Sequence, residues 1–125
     1  MILSNNYFGQ IPSSPFDHVP HLSELYLQDN DIESLTGSPF QALQKLTSLN
    51  LKGNKINRLD ARTMEGLNLL RSLDLAQNDI AHFPRDALKT LDHLEFLEIG
   101  LNYFQTLNQQ GTYQKRQQLH WLELD

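Results

Sequence analysis

Five asparagines recur along this chain of 125 residues at a constant spacing of 24 residues. They are Asn6, Asn30, Asn54, Asn78 and Asn102. A fixed period of this size indicates a solenoid, because each repeat is too small to bury its own apolar face and must stack on its neighbours. The spacing therefore predicts a row of stacked coils.

Apolar positions keep the same phase as the asparagines. An aliphatic residue stands three positions before each of them, at Leu3, Leu27, Leu51, Leu75 and Ile99. Another column opens each unit, at Leu22, Leu46, Leu70 and Leu94, and the step from there to Leu119 contains one inserted residue. We therefore predict one array over 1–125, with units 22–45, 46–69, 70–93 and 94–118 and partial units 1–21 and 119–125. Because Met1 and Leu124 both take strand positions, we expect this sequence to be part of a longer array.

Residues 46–69 show the chemistry of one unit. Leu49, Asn50 and Leu51 alternate with the period of a short strand, which predicts that the leucines face inward and Asn50 faces outward. The turn after the strand carries backbone amides and carbonyls into the interior, where each needs a hydrogen-bond partner. The side-chain amide of Asn54 has donors and an acceptor, so this column is predicted to form a ladder between coils.

Four segments carry a family resemblance: LSELYLQDN, LTSLNLKGN, LRSLDLAQN and LEFLEIGLN resemble the leucine-rich repeat signature LxxLxLxxN. The period of 24 residues, with Phe16 and Phe40 late in their units, resembles the typical subtype of animal extracellular receptors and adhesion proteins. This resemblance implies an α/β fold, a right-handed solenoid with a concave parallel sheet and short helical or irregular convex segments. It also implies an extracellular or cell-surface location, for which the sequence itself carries no signal-peptide pattern.

Two outward columns of the predicted sheet indicate a binding surface. The first reads Ile2, Tyr26, Asn50, Asp74, Glu98 and Glu123, and the second reads Glu24, Ser48, Ser72, Phe96 and Trp121. Neighbouring strands lie about 4.8 Å apart, so Phe96 is expected beside Trp121 and Glu98 beside Glu123. We predict that a protein partner binds the concave face at Asp74, Phe96, Glu98, Leu101, Trp121 and Glu123, since exposed aromatics are favoured interface anchors. Two simpler explanations stay open: the acids keep the sheet soluble, and Trp121 packs against a following coil or cap.

Catalytic and cofactor sites are not predicted. The chain has no cysteine, and its five histidines fall in different phases of the repeat. Asp17, His18 and His21 are better explained as a polar convex loop than as metal ligands. A net charge of −5 without a basic cluster argues against nucleic acid, and no apolar run approaches the ~18 residues of a membrane span.

Residues 108–118 depart most from the repeat and predict a loosened convex segment. The sequence as a whole predicts a non-catalytic protein-recognition module, part of a secreted or cell-surface receptor or adhesion ectodomain. The main alternative is an intracellular leucine-rich repeat scaffold or regulatory subunit. A further alternative is the recognition part of a larger enzyme such as a receptor kinase.

Overall fold

The chain forms short strands that recur once or twice in each coil. The computed structural model describes residues 1–7, 9–12, 15–82, 84–102 and 112–114. In chain order the elements are β1 (Glu24–Tyr26), β2 (Ser34–Leu35), β3 (Ser48–Asn50), β4 (Arg58–Leu59), β5 (Ser72–Asp74), α1 (Arg85–Lys89), β6 (Phe96–Glu98) and β7 (Thr112–Gln114). The main sheet has the strand order β1-β3-β5-β6-β7, and β2 pairs with β4 in a second sheet.

The register of the main sheet follows the sequence period. Strands β1, β3, β5 and β6 are parallel, and Leu25, Leu49, Leu73 and Leu97 lie opposite one another across them. Ile2 makes an isolated parallel bridge to Tyr26, which adds the first coil to the same row. The array is therefore a stack in which one residue of each column stands directly beside the next.

The core lies between the main sheet and the segments that return to it. All four central strand leucines are buried, together with the aliphatic column before the asparagines at Leu27, Leu51, Leu75 and Ile99. Phe16 and Phe40 fill the far side of the first coils, with ring centroids 6.0 Å apart and planes inclined by 20°. Full burial of one such side chain contributes about 1.5–3 kcal/mol, so the apolar columns supply the main driving force for stacking.

The asparagine column forms a hydrogen-bonded ladder inside the turns. The amide nitrogen of Asn54 donates to the carbonyl of Leu51 at 2.9 Å in its own coil and to that of Leu27 at 3.0 Å in the preceding coil. Its side-chain oxygen accepts the backbone N–H groups of Asn30 at 3.1 Å and Ile32 at 3.2 Å. Asn30, Asn78 and Asn102 repeat the donation to two coils. One buried side chain thus satisfies backbone groups on both sides of each coil boundary.

The residue before each ladder asparagine has a left-handed backbone. The values of φ are 60° at Asn5, 58° at Asp29, 73° at Gly53, 57° at Gln77 and 57° at Leu101. In this conformation the N–H of Asp29 reaches the carbonyl of Lys52 at 2.9 Å, and the N–H of Gln77 reaches that of Gly100 at 2.9 Å. This column is not among the sequence predictions, although Asn, Asp and Gly are the residues that most readily adopt positive φ.

The return segments between strands are short and mostly irregular. Among the described residues they contain one helix, α1, which has 5 residues. Asp60 and Thr63 join two of these segments: the N–H of Gly37 donates to Asp60 Oδ2 at 3.1 Å, and the Thr63 hydroxyl donates to the carbonyl of Leu35. The described helical content is therefore low, as expected for short helical or irregular convex segments.

The last described strand differs from the expectation. The sequence predicts a sixth parallel strand directly beside β6, but β7 pairs with β6 in the antiparallel sense, with Gln114 opposite Phe96 and Thr112 opposite Glu98. That expectation is therefore wrong, because one edge of β6 already bonds to β5 and the other is taken by β7. An antiparallel partner needs only a return of the chain, whereas a parallel one needs a complete crossover. Trp121 and Glu123 lie outside the described residues, as does the whole of 119–125.

Candidate binding face

The outward side chains of the main sheet form two rows, which together we call the outer sheet face. The first row contains Glu24, Ser48, Ser72 and Phe96, and the second contains Tyr26, Asn50, Asp74 and Glu98. Their strands alternate in burial, with a buried leucine between two residues that stay partly or fully exposed. The strand period therefore places eight side chains in a regular array on one surface.

Phe96 supplies exposed apolar area on this face, and Leu101 supplies more in the turn after β6. Phe96 is 48% exposed, and Leu101, three residues after the end of β6, is 75% exposed. Leu101 also belongs to the left-handed column, where a side chain with a Cβ costs roughly 1–2 kcal/mol. A leucine at this position costs free energy through its left-handed backbone and through the exposure of its apolar side chain to water. The stability of the fold therefore does not explain why a leucine stands there.

Asp74 and Glu98 supply the acidic part, and the sheet register puts them directly opposite each other. Each also has a local structural role, because its carboxylate accepts the N–H two residues further on. Ala76 donates to Asp74 at 3.0 Å, and Gly100 donates to Glu98 at 3.1 Å. Asn50 fills the same role with an amide oxygen, accepting from Lys52 at 3.0 Å. This role is not among the sequence predictions, although the succession of acceptors Asn, Asp and Glu in one column indicates it.

The charge of Asp74 is held in an unfavourable setting. Partial burial raises the pKa of its carboxyl group, and the negative charge of Glu98 raises that pKa further. The hydrogen bond from Ala76 and the positive charge of Lys52 oppose this shift without cancelling it. A positively charged group of a partner would therefore be attracted to Asp74, because Ala76 and Lys52 stabilise its negative charge only in part.

The β1 end of the face is aromatic as well. The Tyr26 hydroxyl donates a hydrogen bond to Glu24 Oε2 at 3.1 Å, and this bond raises the pKa of Tyr26. Ile2 lies beside Tyr26 in the parallel bridge and is exposed. The larger side chains of the two rows therefore stand on β1 and β6, and the smaller ones stand on β3 and β5 between them.

The described residues bring together part of the predicted site. Asp74, Phe96 and Glu98 lie on neighbouring strands, and Leu101 follows the second of these strands. Trp121 and Glu123 lie outside the described residues. The ladder asparagines lie in the turns, where Asn30, Asn54 and Asn78 are buried, Asn102 is partly buried and Asn6 is exposed. Within the described ranges, no cluster of three or more His, Cys, Asp or Glu side chains has the arrangement of a metal site. No helix in the same ranges is both long enough and apolar enough to cross a membrane.

Comparisons with known proteins agree with the coil geometry. A family model described as a leucine rich repeat matches residues 20–80. Among solved structures, a chain in the crystal structure of a TLR13–ssRNA13 complex is similar, with a TM-score of 0.79 and 34% sequence identity. The match covers 82% of this chain and 14% of that chain. No curated protein sequence matches this chain.

Proposed function

We propose that this chain, a leucine-rich repeat protein, binds another protein through the outer sheet face and has no catalytic role of its own. The observation that carries the proposal is the exposure of Phe96 and Leu101 beside the facing carboxylates of Asp74 and Glu98. Large apolar side chains surrounded by charged ones are typical of the centre and rim of a protein interface. Trp121 and Glu123 stay part of the predicted surface from the sequence columns only, and they are not directly beside Phe96 and Glu98, because β7 takes that edge of β6.

The charge of the face favours a protein partner over nucleic acid. Its two rows contain three carboxylates, at Glu24, Asp74 and Glu98, and no basic side chain. Nucleic acid affinity depends mainly on basic residues that neutralise phosphates, so an RNA strand would be repelled here. The similar protein named above is in complex with ssRNA, and RNA is therefore included as an outcome of the test.

We also propose a location in the ectodomain of a secreted or cell-surface receptor or adhesion protein. The proposal is supported by the subtype of the repeats and by the receptor-like neighbour among solved structures. An intracellular scaffold could be built from the same coils, and the two are distinguished by the compartment in which the partner is found. A partner that is confined to the cytosol would contradict the proposed location without affecting the binding face.

The test compares variants of the outer sheet face in capture of a partner. The chain is immobilised and exposed to cell-surface proteins, and the captured protein is identified and titrated against the double variant Phe96→Ser with Leu101→Ser. We expect that variant to bind at least about tenfold more weakly, which corresponds to roughly 1.4 kcal/mol. Its thermal unfolding should match the parent, because both side chains are exposed.

Leu69→Ser serves as the matched control, since Leu69 is an exposed leucine that lies neither in the two rows nor in the turn after β6. It should leave partner affinity unchanged. Equal binding by the parent and the double variant would contradict the proposal. So would tight binding of an ssRNA oligonucleotide that competes with the protein partner.

A further inference from the structure

The middle of the outer sheet face carries smaller side chains than its two ends. In the first row, Ser48 and Ser72 stand between Glu24 and Phe96. Serine has the smallest side chain in that row, so β3 and β5 form a floor between the larger side chains on β1 and β6. We call this depression the serine trough, with Ser48 and Ser72 as its floor.

The second row keeps the floor low as well. Asn50 and Asp74 lie on the same two strands, and each side chain accepts the backbone N–H two residues further on, that of Lys52 at 3.0 Å and that of Ala76 at 3.0 Å. A side chain held to its own strand in this way projects less from the sheet. The trough therefore continues along the strand direction, with Tyr26 as its wall on β1. On the other side Glu98 accepts the N–H of Gly100 in the same way, at 3.1 Å, so it forms a lower wall than Tyr26.

The width of the trough limits what can lie in it. β1 and β6 are three strand spacings apart, about 14 Å at the usual 4.8 Å per strand. An α-helix with its side chains is about 10–12 Å across and could touch the floor and both walls at once. A single extended segment is narrower and would touch one wall only. The dimensions thus favour a helix that runs parallel to the strands.

Charge complementarity fixes the character of that helix. Glu24 stands on one wall, Glu98 on the other, and Asp74 on the floor carries a charge destabilised by burial and by Glu98. Phe96 adds exposed apolar area on the β6 wall. Basic side chains along both edges of a helix would meet the carboxylates, and an apolar side chain between them would pack on Phe96.

We propose that the partner inserts a basic amphipathic α-helix into the serine trough, with an apolar residue against Phe96 and lysine or arginine side chains against Glu24, Asp74 and Glu98. This inference rests on the proposed function and specifies the shape and charge of the element that is recognised. It requires the small size of Ser48 and Ser72, which an interface at Phe96 and Leu101 alone would not require.

The test uses a designed helical peptide. The probe is a lactam-stapled amphipathic helix of about 20 residues, made of leucine and lysine so that it is helical without tertiary support. Two comparison peptides have the same length: one carries central prolines that break the helix, and the other has glutamate in place of lysine. Binding is measured by fluorescence anisotropy, and amide chemical shifts identify the residues that respond.

We expect the stapled basic helix to bind at least about tenfold more tightly than either comparison peptide, with shifts centred on β3 and β5. Ser72→Tyr, or Ser48→Tyr if the first variant unfolds, should weaken that binding by a similar factor because tyrosine fills the trough. Ser34→Tyr on β2 is the matched control and should bind like the parent.

Two results would overturn the inference. One is equal binding of the helical and proline-containing peptides, or binding of neither. The other is binding of the helical peptide that Ser72→Tyr and Ser48→Tyr leave unchanged. If either occurs while the captured partner still depends on Phe96 and Leu101, the proposed function stands and only the helical partner is rejected. If partner binding depends neither on Phe96 and Leu101 nor on the serines, both the proposed function and the helical partner are rejected.

Discussion

At the scale of single residues, the turns of this array depend on two adjacent columns with different demands. Asn54 and its equivalents are chosen for their side chains, which pair with backbone groups of two coils. Gly53 and its equivalents are chosen for the left-handed backbone they must adopt. The ladder column contains asparagine in every coil. The left-handed column contains Asn, Asp, Gly, Gln and Leu, and most of these residues adopt a positive φ at a cost in backbone strain.

That strain predicts a stabilising substitution. Gln77 has φ 57° and an exposed side chain, so Gln77→Gly removes an unfavourable Cβ without loss of packing. Relief of roughly 1–2 kcal/mol of strain, less the greater freedom of glycine in the unfolded chain, should raise the free energy of unfolding by up to about 1 kcal/mol. Urea unfolding measures the change.

Gln44→Gly is the matched control for this prediction, because Gln44 is an exposed glutamine that lacks a positive φ. It should lower stability by some tenths of a kcal/mol up to about 1 kcal/mol. If Gln77→Gly is destabilising to the same extent, the left-handed column does not store strain.

The two columns also show what could be predicted at this scale. The asparagine ladder followed from the sequence because the same chemistry recurs at the same position. The left-handed column was missed because its residues share a backbone conformation and not a side-chain chemistry. For the same reason the acceptors Asn50, Asp74 and Glu98 were seen as charged or polar surface, while their hydrogen bonds to their own strands were not foreseen.

At the scale of elements, the return segments are fixed by close backbone contact as well as by apolar burial. Gly66 has φ +88°, and a Cβ there would lie 2.3 Å from the carbonyl oxygen and 2.6 Å from the Cα of Gln41 in the preceding coil. Those atoms belong to the backbone and cannot turn aside. The return segments that contain Gly66 and Gln41 are therefore too close together to leave room for a side chain at position 66.

Gly66→Ala should consequently lower the free energy of unfolding by more than about 2 kcal/mol, since overpacking adds to the strain of positive φ. Gly37→Ala is a sharp comparison, because Gly37 has φ +75° but no atom within 4 Å of its Cβ position. It should lose only the strain, about 1 kcal/mol. Equal losses in urea unfolding would show that contact with Gln41 contributes nothing.

The hydrogen bonds around Asp60 give this region a dependence on pH. Burial alone would raise the pKa of Asp60, but donation from the N–H groups of Gly37 and Arg62 and from Thr63 lowers it below the ordinary value of 3.8. A carboxyl group with a lowered pKa in the folded state adds stability that is present above 3.8 and lost as pH falls through the folded pKa.

Asp60→Asn should therefore be less stable than the parent at pH 7, and the difference should shrink as the pH falls below 3.8. Thermal unfolding across this pH range provides the measurement, and Asp17→Asn, at an exposed carboxylate, controls for the change in net charge. A gap that stays constant with pH would rule out the hydrogen-bonded carboxylate as its source.

Element type was predictable in unequal degree. The parallel strands followed from the alternation of leucines within a fixed period. The antiparallel strand β7 could not be predicted in this way, because the sequence of Thr112, Tyr113 and Gln114 does not indicate which strand it pairs with. Pairing at an edge depends on which segment reaches it, and that is a property of the path of the chain rather than of a local motif.

At the scale of the whole molecule, each coil contacts mainly its neighbours, so stability is expected to be a sum of coil and boundary contributions. Deletion of residues 46–69 removes one complete unit and brings Asn30 and Asn78 into adjacent coils in the same phase. We expect this shortened chain to fold with parallel strands and a smaller urea dependence of unfolding, because less surface is buried. Circular dichroism and urea titration report both quantities.

Deletion of residues 46–57, half of the same unit, provides the opposite case. It brings apolar columns opposite polar ones and should prevent cooperative folding. If the half-unit deletion folds as well as the full one, the 24-residue phase does not specify the stack.

The binding face could be predicted only in outline at this scale. The sequence columns placed Asp74, Phe96 and Glu98 on one surface because strand alternation is reliable over three residues. The residue on the far side of Phe96 belongs to unit 94–118, which contains the inserted residue. The 24-residue spacing does not hold in that unit, so it cannot predict this neighbour.

The antiparallel pairing of β7 with β6 also bears on how such an array can change over generations. In-frame duplication or loss of a 24-residue unit anywhere from β1 to β6 leaves every ladder bond and every row in register. A unit inserted between β6 and β7 would have to displace a strand of opposite direction. We therefore expect natural length variants of this protein to gain or lose coils on the β1 side of β6, so that the acidic and aromatic end of the face is inherited unchanged.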